Sequence, residues 1–162
     1  MEFLELLKPP AATDPSEICK CSGDKPVKLM CALSYNPIHC IDCNLEVAPT
    51  RLPITSGIVR SVANWCWLYS AIDRLWLASG DYEEWAKAEL SDIHSSVNRL
   101  GLSARSDVDS VRRCYYWLFQ DQSVDEFESI EICPICSLAF TRYDEGIYPQ
   151  LKCEGCSLIT VA

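Results

Sequence analysis

The sequence predicts an α+β protein in which central helices are flanked by two small, metal-dependent β units. Three observations predict this class: two Cys-x-x-Cys pairs near the C-terminus, a cysteine-rich segment near the N-terminus, and helical periodicity between them. The composition is 49% apolar, which is enough to bury a core. We expect an N-terminal ribbon-like unit at 1–50, a helical core at 51–114, and an aromatic strand with a C-terminal zinc ribbon at 115–162.

The C-terminal cysteines have the spacing of a four-thiolate zinc ribbon. Cys133-Pro-Ile-Cys136 and Cys153-Glu-Gly-Cys156 are separated by sixteen residues, so a short hairpin can bring the second pair to the first. Zn²⁺ accepts four thiolates in tetrahedral geometry, and such a closed site stabilises a fold without offering a catalytic position. Two disulfides or simple packing of the thiols are the alternatives. We expect a zinc ion at Cys133, Cys136, Cys153 and Cys156.

A less regular copy of this pattern lies near the N-terminus. The stretch from His39 to Leu45 repeats the Cys-x-x-Cys-x-Leu pattern of Lys152 to Leu158, which indicates an internal repeat. Its first pair, Cys19-Lys-Cys21, has one intervening residue in place of two. The pattern predicts a second zinc ion, with Cys31 and His39 as alternative ligands and a metal-free hairpin as the alternative structure. The ligands we expect are Cys19, Cys21, Cys40 and Cys43.

The elements before the central helices are short. Residues 2–8 predict a strand or a helical turn that ends at Pro9-Pro10. The apolar residues from Val27 to Leu33 predict a strand, and a turn follows at Asn36-Pro37.

The central segment has the periodicity of helices. A stripe from Ile58 to Trp76 recurs at spacings of three and four residues, which predicts a helix capped by Thr55 or Ser56 and ended at Gly80. Residues 81–90 predict a shorter helix with acidic residues in its first turn, and residues 95–113 predict a third helix that Gly101 could interrupt. The aromatic run at 114–119 predicts a strand that leads into the C-terminal ribbon.

The charge distribution argues against nucleic-acid binding. The formal net charge is −9, and residues 121–162 alone carry eight acidic and two basic side chains. Such a segment repels phosphates, whose neutralisation by Lys and Arg supplies most of the affinity for nucleic acid. The acidic N-terminus and the lack of an apolar run of roughly 20 residues predict a cytoplasmic protein with no membrane partner and with reduced cysteines.

No pattern of catalytic residues is present in the sequence. It lacks a nucleophile–base–orienter set, a phosphate-binding glycine loop and a dinucleotide fingerprint. His94 is expected to be exposed among serines, and Cys66 and Cys114 to be buried as small apolar side chains. We therefore expect a protein that is not an enzyme.

Two tryptophans are candidate partner-binding residues. Trp67 lies about 200° around the helix from Trp65, which belongs to the core-facing stripe. Either the helix is buried on two sides, between the two ribbons, or Trp67 belongs to an interface. Because exposed tryptophans are preferred in protein–protein contacts, we select Trp67 and Trp85.

The motifs in combination resemble one bacterial family of unknown function, described as zinc-ribbon-containing with nucleic-acid binding as its suggested role. The resemblance covers about residues 55–162 and rests on Trp67 to Leu75, Ser91 to Ser96, Tyr115 to Phe119, and the C-terminal cysteine pairs. Two positions depart from that family. Val111-Arg-Arg-Cys114 stands where Gly-x-Pro-Thr is expected, and Ser157 stands where such ribbons often carry arginine.

Two functions follow as hypotheses. The first is a non-enzymatic, zinc-binding protein-interaction module with a basic protein partner, such as an immunity or inhibitor protein, since complementary charge speeds encounter and sets specificity. The second is a nucleic-acid-binding zinc-ribbon protein. It requires the four arginines of the helical region to converge beside Tyr115 and Trp117 on one exposed face, and not to pair with acids. Those arginines are Arg99, Arg105, Arg112 and Arg113.

Overall fold

The structure, a computed structural model, describes residues 13–31 and 36–162 and has the expected α+β composition. The predicted element at residues 2–8 lies outside the described residues. Three α-helices are present in the described chain: α1 (Ser56–Ala78), α2 (Glu83–Ser91) and α3 (Ser96–Asp109). The six strands are β1 (Val27–Leu29), β2 (Ile38–Cys40), β3 (Cys114–Trp117), β4 (Thr141–Tyr143), β5 (Gln150–Cys153) and β6 (Leu158–Val161).

All six strands belong to one sheet, in the order β2-β1-β3-β6-β5-β4. The pair β1–β2 and the triplet β4–β5–β6 are antiparallel, as in hairpins, whereas β3 runs parallel to both of its neighbours. The aromatic strand β3 therefore joins the N-terminal and C-terminal β segments into a single sheet.

The helices cover one face of this sheet, with α3 against β1 and β3. Trp65 of α1 is buried, and its Nε1 donates a hydrogen bond to the hydroxyl of Tyr116 at 3.3 Å. That hydroxyl donates to Oδ1 of buried Asn98 at 2.7 Å. The Nδ2 of Asn98 in turn donates to three backbone carbonyls at the end of α2, so one side chain connects two helices and the sheet.

The opposite face of the sheet encloses a second, smaller core of Ile41, Tyr115 and Ile159. The sheet curls enough for its two ends to meet: the Ile147 N–H donates to the Asp42 carbonyl at 2.8 Å, although the two residues flank opposite edge strands. Lys28 of β1 is fully buried inside this curl.

The three predicted helices are confirmed with small changes at their ends. The third helix stops at Asp109, four residues before its predicted end. The Asp109 carboxylate accepts a hydrogen bond from the backbone N–H of Cys114 at 2.8 Å, and this contact stabilises the turn that follows the helix. Gly101 does not interrupt this helix. The strand expected from Val27 is seen over Val27–Leu29, and the strand expected at 114–119 ends at Trp117.

Of the two alternatives given for Trp67, burial of α1 on two sides is wrong. Trp67 is 72% exposed, because both cysteine-rich segments join the sheet and do not enclose the helix between them. Within residues 13–31 and 36–162, no helix combines the length and apolarity that crossing a bilayer requires.

Candidate metal centres

Eight cysteines form two groups, each with four sulfur atoms that all lie within 4.8 Å of one another. The N-terminal cysteine group contains Cys19, Cys21, Cys40 and Cys43, and the C-terminal cysteine group contains Cys133, Cys136, Cys153 and Cys156. The structure thus brings together both sets of four that the sequence analysis selected. Both groups lie at turns beside sheet strands, one toward each edge of the sheet.

The three Cys-x-x-Cys pairs share a backbone turn. Each is followed by a residue with positive φ: Asn44 at +59°, Ser137 at +60° and Ser157 at +53°. In two of the turns the N–H of this residue donates back to the carbonyl of the first cysteine, at 3.0 Å for Asn44 and 2.9 Å for Ser137. A leucine follows each time, so the repeated pattern is Cys-x-x-Cys-Asn/Ser-Leu. The left-handed residue reverses the chain and turns both thiols to the same side.

The short Cys19-Lys-Cys21 pair is positioned by hydrogen bonds to other segments of the chain. The Arg51 guanidinium donates to the carbonyl oxygens of Cys19 and Cys21, each at 2.6 Å. The Cys19 N–H donates to the carbonyl of Glu46 at 2.8 Å, which attaches the pair to the segment that follows the Cys40–Cys43 turn. These contacts position a pair that lacks the usual spacing.

The donor sets fit a tetrahedral metal ion. Zinc–sulfur bonds of about 2.3 Å place the sulfurs of a tetrahedral site roughly 3.8 Å apart, and the sulfurs of Cys136 and Cys153 are separated by 3.6 Å. The backbone N–H of Leu138 lowers the pKa of Cys136 to about 7, which favours the thiolate form that binds metal. Cys133 and Cys153 are buried and Cys136 is exposed, so the group lies at the surface.

Neither alternative ligand lies in the N-terminal cysteine group. The ring Nδ1 of His39 is 3.0 Å from the carbonyl oxygen of Asn44, so His39 contacts the turn from outside the sulfur set. The sulfur of Cys31 lies beside Cys66 and Ser70. The pairing of Cys31 with Cys66 has no signal in the sequence, because the residues are 35 positions apart and belong to different elements.

Three of the four arginines of the helical region pair with acids. Arg112 contacts Asp24 at 2.8 Å, and Arg105 contacts Asp109 at 3.7 Å. Arg113 contacts Asp109 and Glu154 and lies over the Tyr115 ring, 4.7 Å from its centroid. The aromatic ring that could stack on a base is therefore already covered by an arginine whose charge is balanced.

The surface beside α1 contains an apolar groove, which we call the Trp67 groove. It has a cavity volume of about 360 Å³, and its lining includes Pro37, Ile38, Ile54, Ile58, Cys66 and Trp67. Trp85, the second candidate residue, is 51% exposed and lines a separate depression with Leu75 and Tyr82. The sequence indicated both tryptophans but not the groove, because its walls come from segments far apart in the chain.

His94 is exposed, as expected. Cys114 is fully buried, also as expected, whereas Cys66 is only half-buried because it faces the Trp67 groove.

The fold and the two cysteine groups define an α+β protein with two candidate metal centres. The chain belongs to the family DUF2310, a domain of unknown function, whose family model matches residues 30–119. This match shares residues 55–119 with the resemblance found in the sequence, and it includes the Cys40–Cys43 turn but not the C-terminal cysteine group. Searches of curated proteins and of solved structures gave no significant match.

Proposed function

We propose that this protein is a non-enzymatic, zinc-stabilised interaction module that binds a basic protein partner through the Trp67 groove. The observation that carries the proposal is the combination of an apolar groove with a tryptophan that is 72% exposed at its edge. An exposed apolar patch of this kind often marks a protein–protein interaction site or a ligand-binding groove. Zinc ions at both cysteine groups form two ribbons that hold the sheet behind this surface.

The metal has a structural role in this proposal. Four thiolates complete the coordination shell of Zn²⁺ and leave no open position for a water or a substrate. Such a site contributes its binding free energy to folding. The N-terminal cysteine group also lies near the groove, since Asn36, Pro37 and Ile38 of the groove precede Cys40 along the chain.

The groove has the properties of an interaction surface for one apolar side chain of a partner. Trp67 stands beside a lining made mostly of proline and aliphatic residues of three chain segments. Tryptophans at the centre of interfaces contribute disproportionately to affinity when the surrounding contacts exclude water. An aliphatic or aromatic anchor of the partner would fill the cavity and cover the Trp67 ring.

The charge of the molecule favours a basic partner. The net charge is −9, and the two four-thiolate zinc sites would add negative charge locally. Long-range attraction of this sign speeds association with a basic protein and suppresses association with nucleic acid. An inhibitor or immunity role, in which an acidic protein covers a basic functional surface, is consistent with this polarity.

The nucleic-acid alternative has less support. It needed an exposed basic face beside Tyr115 and Trp117, but Arg105, Arg112 and Arg113 lie in ion pairs and Tyr115 is covered.

Affinity capture from the host lysate with a matched pair of variants tests the proposal. The zinc-loaded protein, its Trp67→Ala variant and an Ile147→Ala control are each used as bait with and without nuclease. Ile147 is 68% exposed on the β4–β5 turn, so its truncation removes a comparable exposed apolar group away from the groove. We expect a stoichiometric protein that survives nuclease and binds at least about tenfold more weakly to Trp67→Ala, as is usual for a hot spot.

The purified partner is then titrated at low and high salt. Affinity that falls as salt rises supports a basic partner. Equal binding by Trp67→Ala and wild type would exclude the groove as the contact surface. Recovery of nucleic acid that nuclease abolishes would establish the alternative function.

A further inference from the structure

Two thiols outside the cysteine groups are in contact where the end of β1 meets α1. The sulfurs of Cys31 and Cys66 are separated by 3.6 Å, and the Ser70 hydroxyl oxygen lies 3.1 Å from the Cys31 sulfur. In the described part of the chain, metal-compatible clusters of three or more ligating side chains are limited to the two cysteine groups. The Cys31–Cys66 pair is therefore a dithiol with no further ligand to complete a metal site.

The dithiol is within reach of small molecules in solution. Cys66 is half-buried and forms part of the wall of the Trp67 groove, and Cys31 is half-buried behind it. Cys114, the other cysteine outside the two groups, is fully buried in the core. Of the three thiols outside the groups, the two that touch each other are thus the two that solvent can approach.

We propose that Cys31 and Cys66 form a redox-active pair that hydrogen peroxide oxidises to an intramolecular disulfide. The Cys66 thiolate attacks the distal peroxide oxygen, the O–O bond breaks, and the leaving oxygen departs as water after taking up a proton. This step gives a sulfenic acid on Cys66. The Cys31 sulfur then attacks the Cys66 sulfur, the S–O bond breaks, and the hydroxyl leaves as water with the proton of Cys31. Two thiols lose two electrons, and hydrogen peroxide is reduced to two waters.

The local hydrogen bonds assign the two roles. Donation from the Cys31 thiol lowers the pKa of Cys66 to about 7, and the Ser70 hydroxyl acts in the same direction. Interaction with Cys66, together with burial, raises the pKa of Cys31. Cys66, and not Cys31, also lines the groove through which a peroxide can approach, so Cys66 is the attacking thiolate and Cys31 the resolving thiol.

The disulfide would change the groove. An S–S bond of about 2.05 Å requires the sulfurs to approach by about 1.5 Å, which draws Cys31 toward α1. Because Cys66 lines the Trp67 groove, oxidation alters the wall that the proposed partner would contact. This consequence rests on the proposed function, whereas the oxidation itself does not.

Disulfide mapping of the full, zinc-loaded chain tests the proposal. The protein is treated with equimolar hydrogen peroxide, remaining thiols are blocked with N-ethylmaleimide, and the unfolded chain is digested with trypsin without reduction. The expected product joins the peptides 29–51 and 61–74, with fragmentation assigning the bond to Cys31 and Cys66. Zinc content, measured in parallel, should be unchanged when this bond forms.

Serine variants provide the matched controls. Cys31→Ser and Cys66→Ser should each abolish the cross-linked peptide, whereas Cys114→Ser should retain it. The wild-type map decides the question even if a variant fails to fold. Complete maleimide labelling of both thiols after peroxide treatment, a sulfinic acid on Cys66 without a cross-link, or loss of zinc before the Cys31–Cys66 bond appears would each overturn the proposal. A positive map with unaltered partner binding would contradict only the link to the groove.

Discussion

Lys28 is an unusual residue in this fold, because its ammonium group is fully enclosed by the curled sheet. Its Nζ donates to the Tyr148 hydroxyl and to Oε1 of Gln150, both at 2.8 Å, and lies 4.7 Å from the Trp117 ring centroid. No carboxylate is among these partners. Burial consequently lowers the pKa of Lys28 to about 7, far below that of a lysine in water.

The pH dependence of stability should reveal this lysine. Between pH 7 and about pH 10.4, the unfolded chain holds a proton on Lys28 that the folded chain has released. The free energy of unfolding should therefore rise with pH across this window in wild type, relative to Lys28→Met. Urea unfolding of both zinc-loaded proteins at several pH values measures the difference, in which the common pH dependence of zinc binding cancels.

Lys87→Met is the control for this comparison. An ion pair with Asp121 raises the pKa of Lys87, so its removal should not reproduce the effect between pH 7 and 10.4. Parallel profiles for wild type and Lys28→Met would show that Lys28 stays charged in the folded protein.

Residue-scale features were predictable from the sequence only where they depend on short spacing. The cysteine groups could be predicted because the Cys-x-x-Cys turns bring pairs of ligands together locally. Lys28 and the Cys31–Cys66 contact could not, since their surroundings come from residues 35 to 122 positions away. A strand of three residues is too short for its sequence to show whether its lysine is buried or exposed.

Among the elements, α3 packs directly against the sheet, and Gly101 lies at this contact. A Cβ atom at this position would lie 2.3 Å from a Tyr116 ring carbon and 2.6 Å from Nε1 of Trp65. Glycine is required here because there is no space for a side chain, and not because the backbone adopts a conformation that only glycine favours. This explains why a residue expected to interrupt the helix lies in its interior.

Gly101→Ala should destabilise the protein despite the better helix propensity of alanine. The propensity gain is about 1 kcal/mol, but overpacking against two buried rings typically costs 1–3 kcal/mol or somewhat more. We expect a net loss of roughly 1–2 kcal/mol in the free energy of unfolding, measured in urea with zinc present. Ser103→Ala, at an exposed position of the same helix, should be neutral or slightly stabilising, and an equally stable Gly101→Ala protein would contradict the packing argument.

Helices were the easier elements to predict, because their periodicity is repeated over several turns. The stripe through Trp65, Tyr69 and Ile72 places all three residues in the core, as the structure confirms. The strands are only three or four residues long and carry little periodic signal. Their boundaries depend on partners, which explains why the strand predicted from Val27 and the one predicted from Cys114 were both too long.

At the scale of the whole molecule, the two cysteine groups lie toward opposite edges of one sheet. The apparent binding free energy of a structural zinc site, about 10–16 kcal/mol, matches or exceeds the total stability of a typical domain, about 5–15 kcal/mol. If zinc occupies both groups as proposed, removing it with a strong chelator should therefore abolish cooperative unfolding and the near-ultraviolet circular dichroism of the Trp65–Tyr116 core.

Native mass spectrometry should count two zinc ions per chain. Cys43→Ser and Cys156→Ser should each retain one ion, because each removes one ligand from a different group. Cys66→Ser should retain two, since Cys66 belongs to neither group. A single ion in wild type, or two ions in both ligand variants, would contradict the assignment.

The order of strands was beyond prediction from the sequence. The sequence indicated a β segment at each end of the chain, but β1 pairs with β3 through Val27 and Cys114, 87 positions apart. No local pattern specifies a parallel partner at that distance. The same pairing is why the two cysteine-rich segments share one sheet.

The central position of β3 also has a consequence for how the chain is made. The N-terminal cysteine group leaves the ribosome before the helices and β3, so a metal ion, if it binds there as proposed, could do so while the rest of the chain is still being synthesised. The inner edge of β1, however, stays unpaired until all three helices and β3 have followed it. Throughout that interval we expect the nascent chain to expose an open strand edge that can pair with other chains. Early metal loading would shorten the disordered segment at risk, so zinc supply during translation should govern the yield of folded protein.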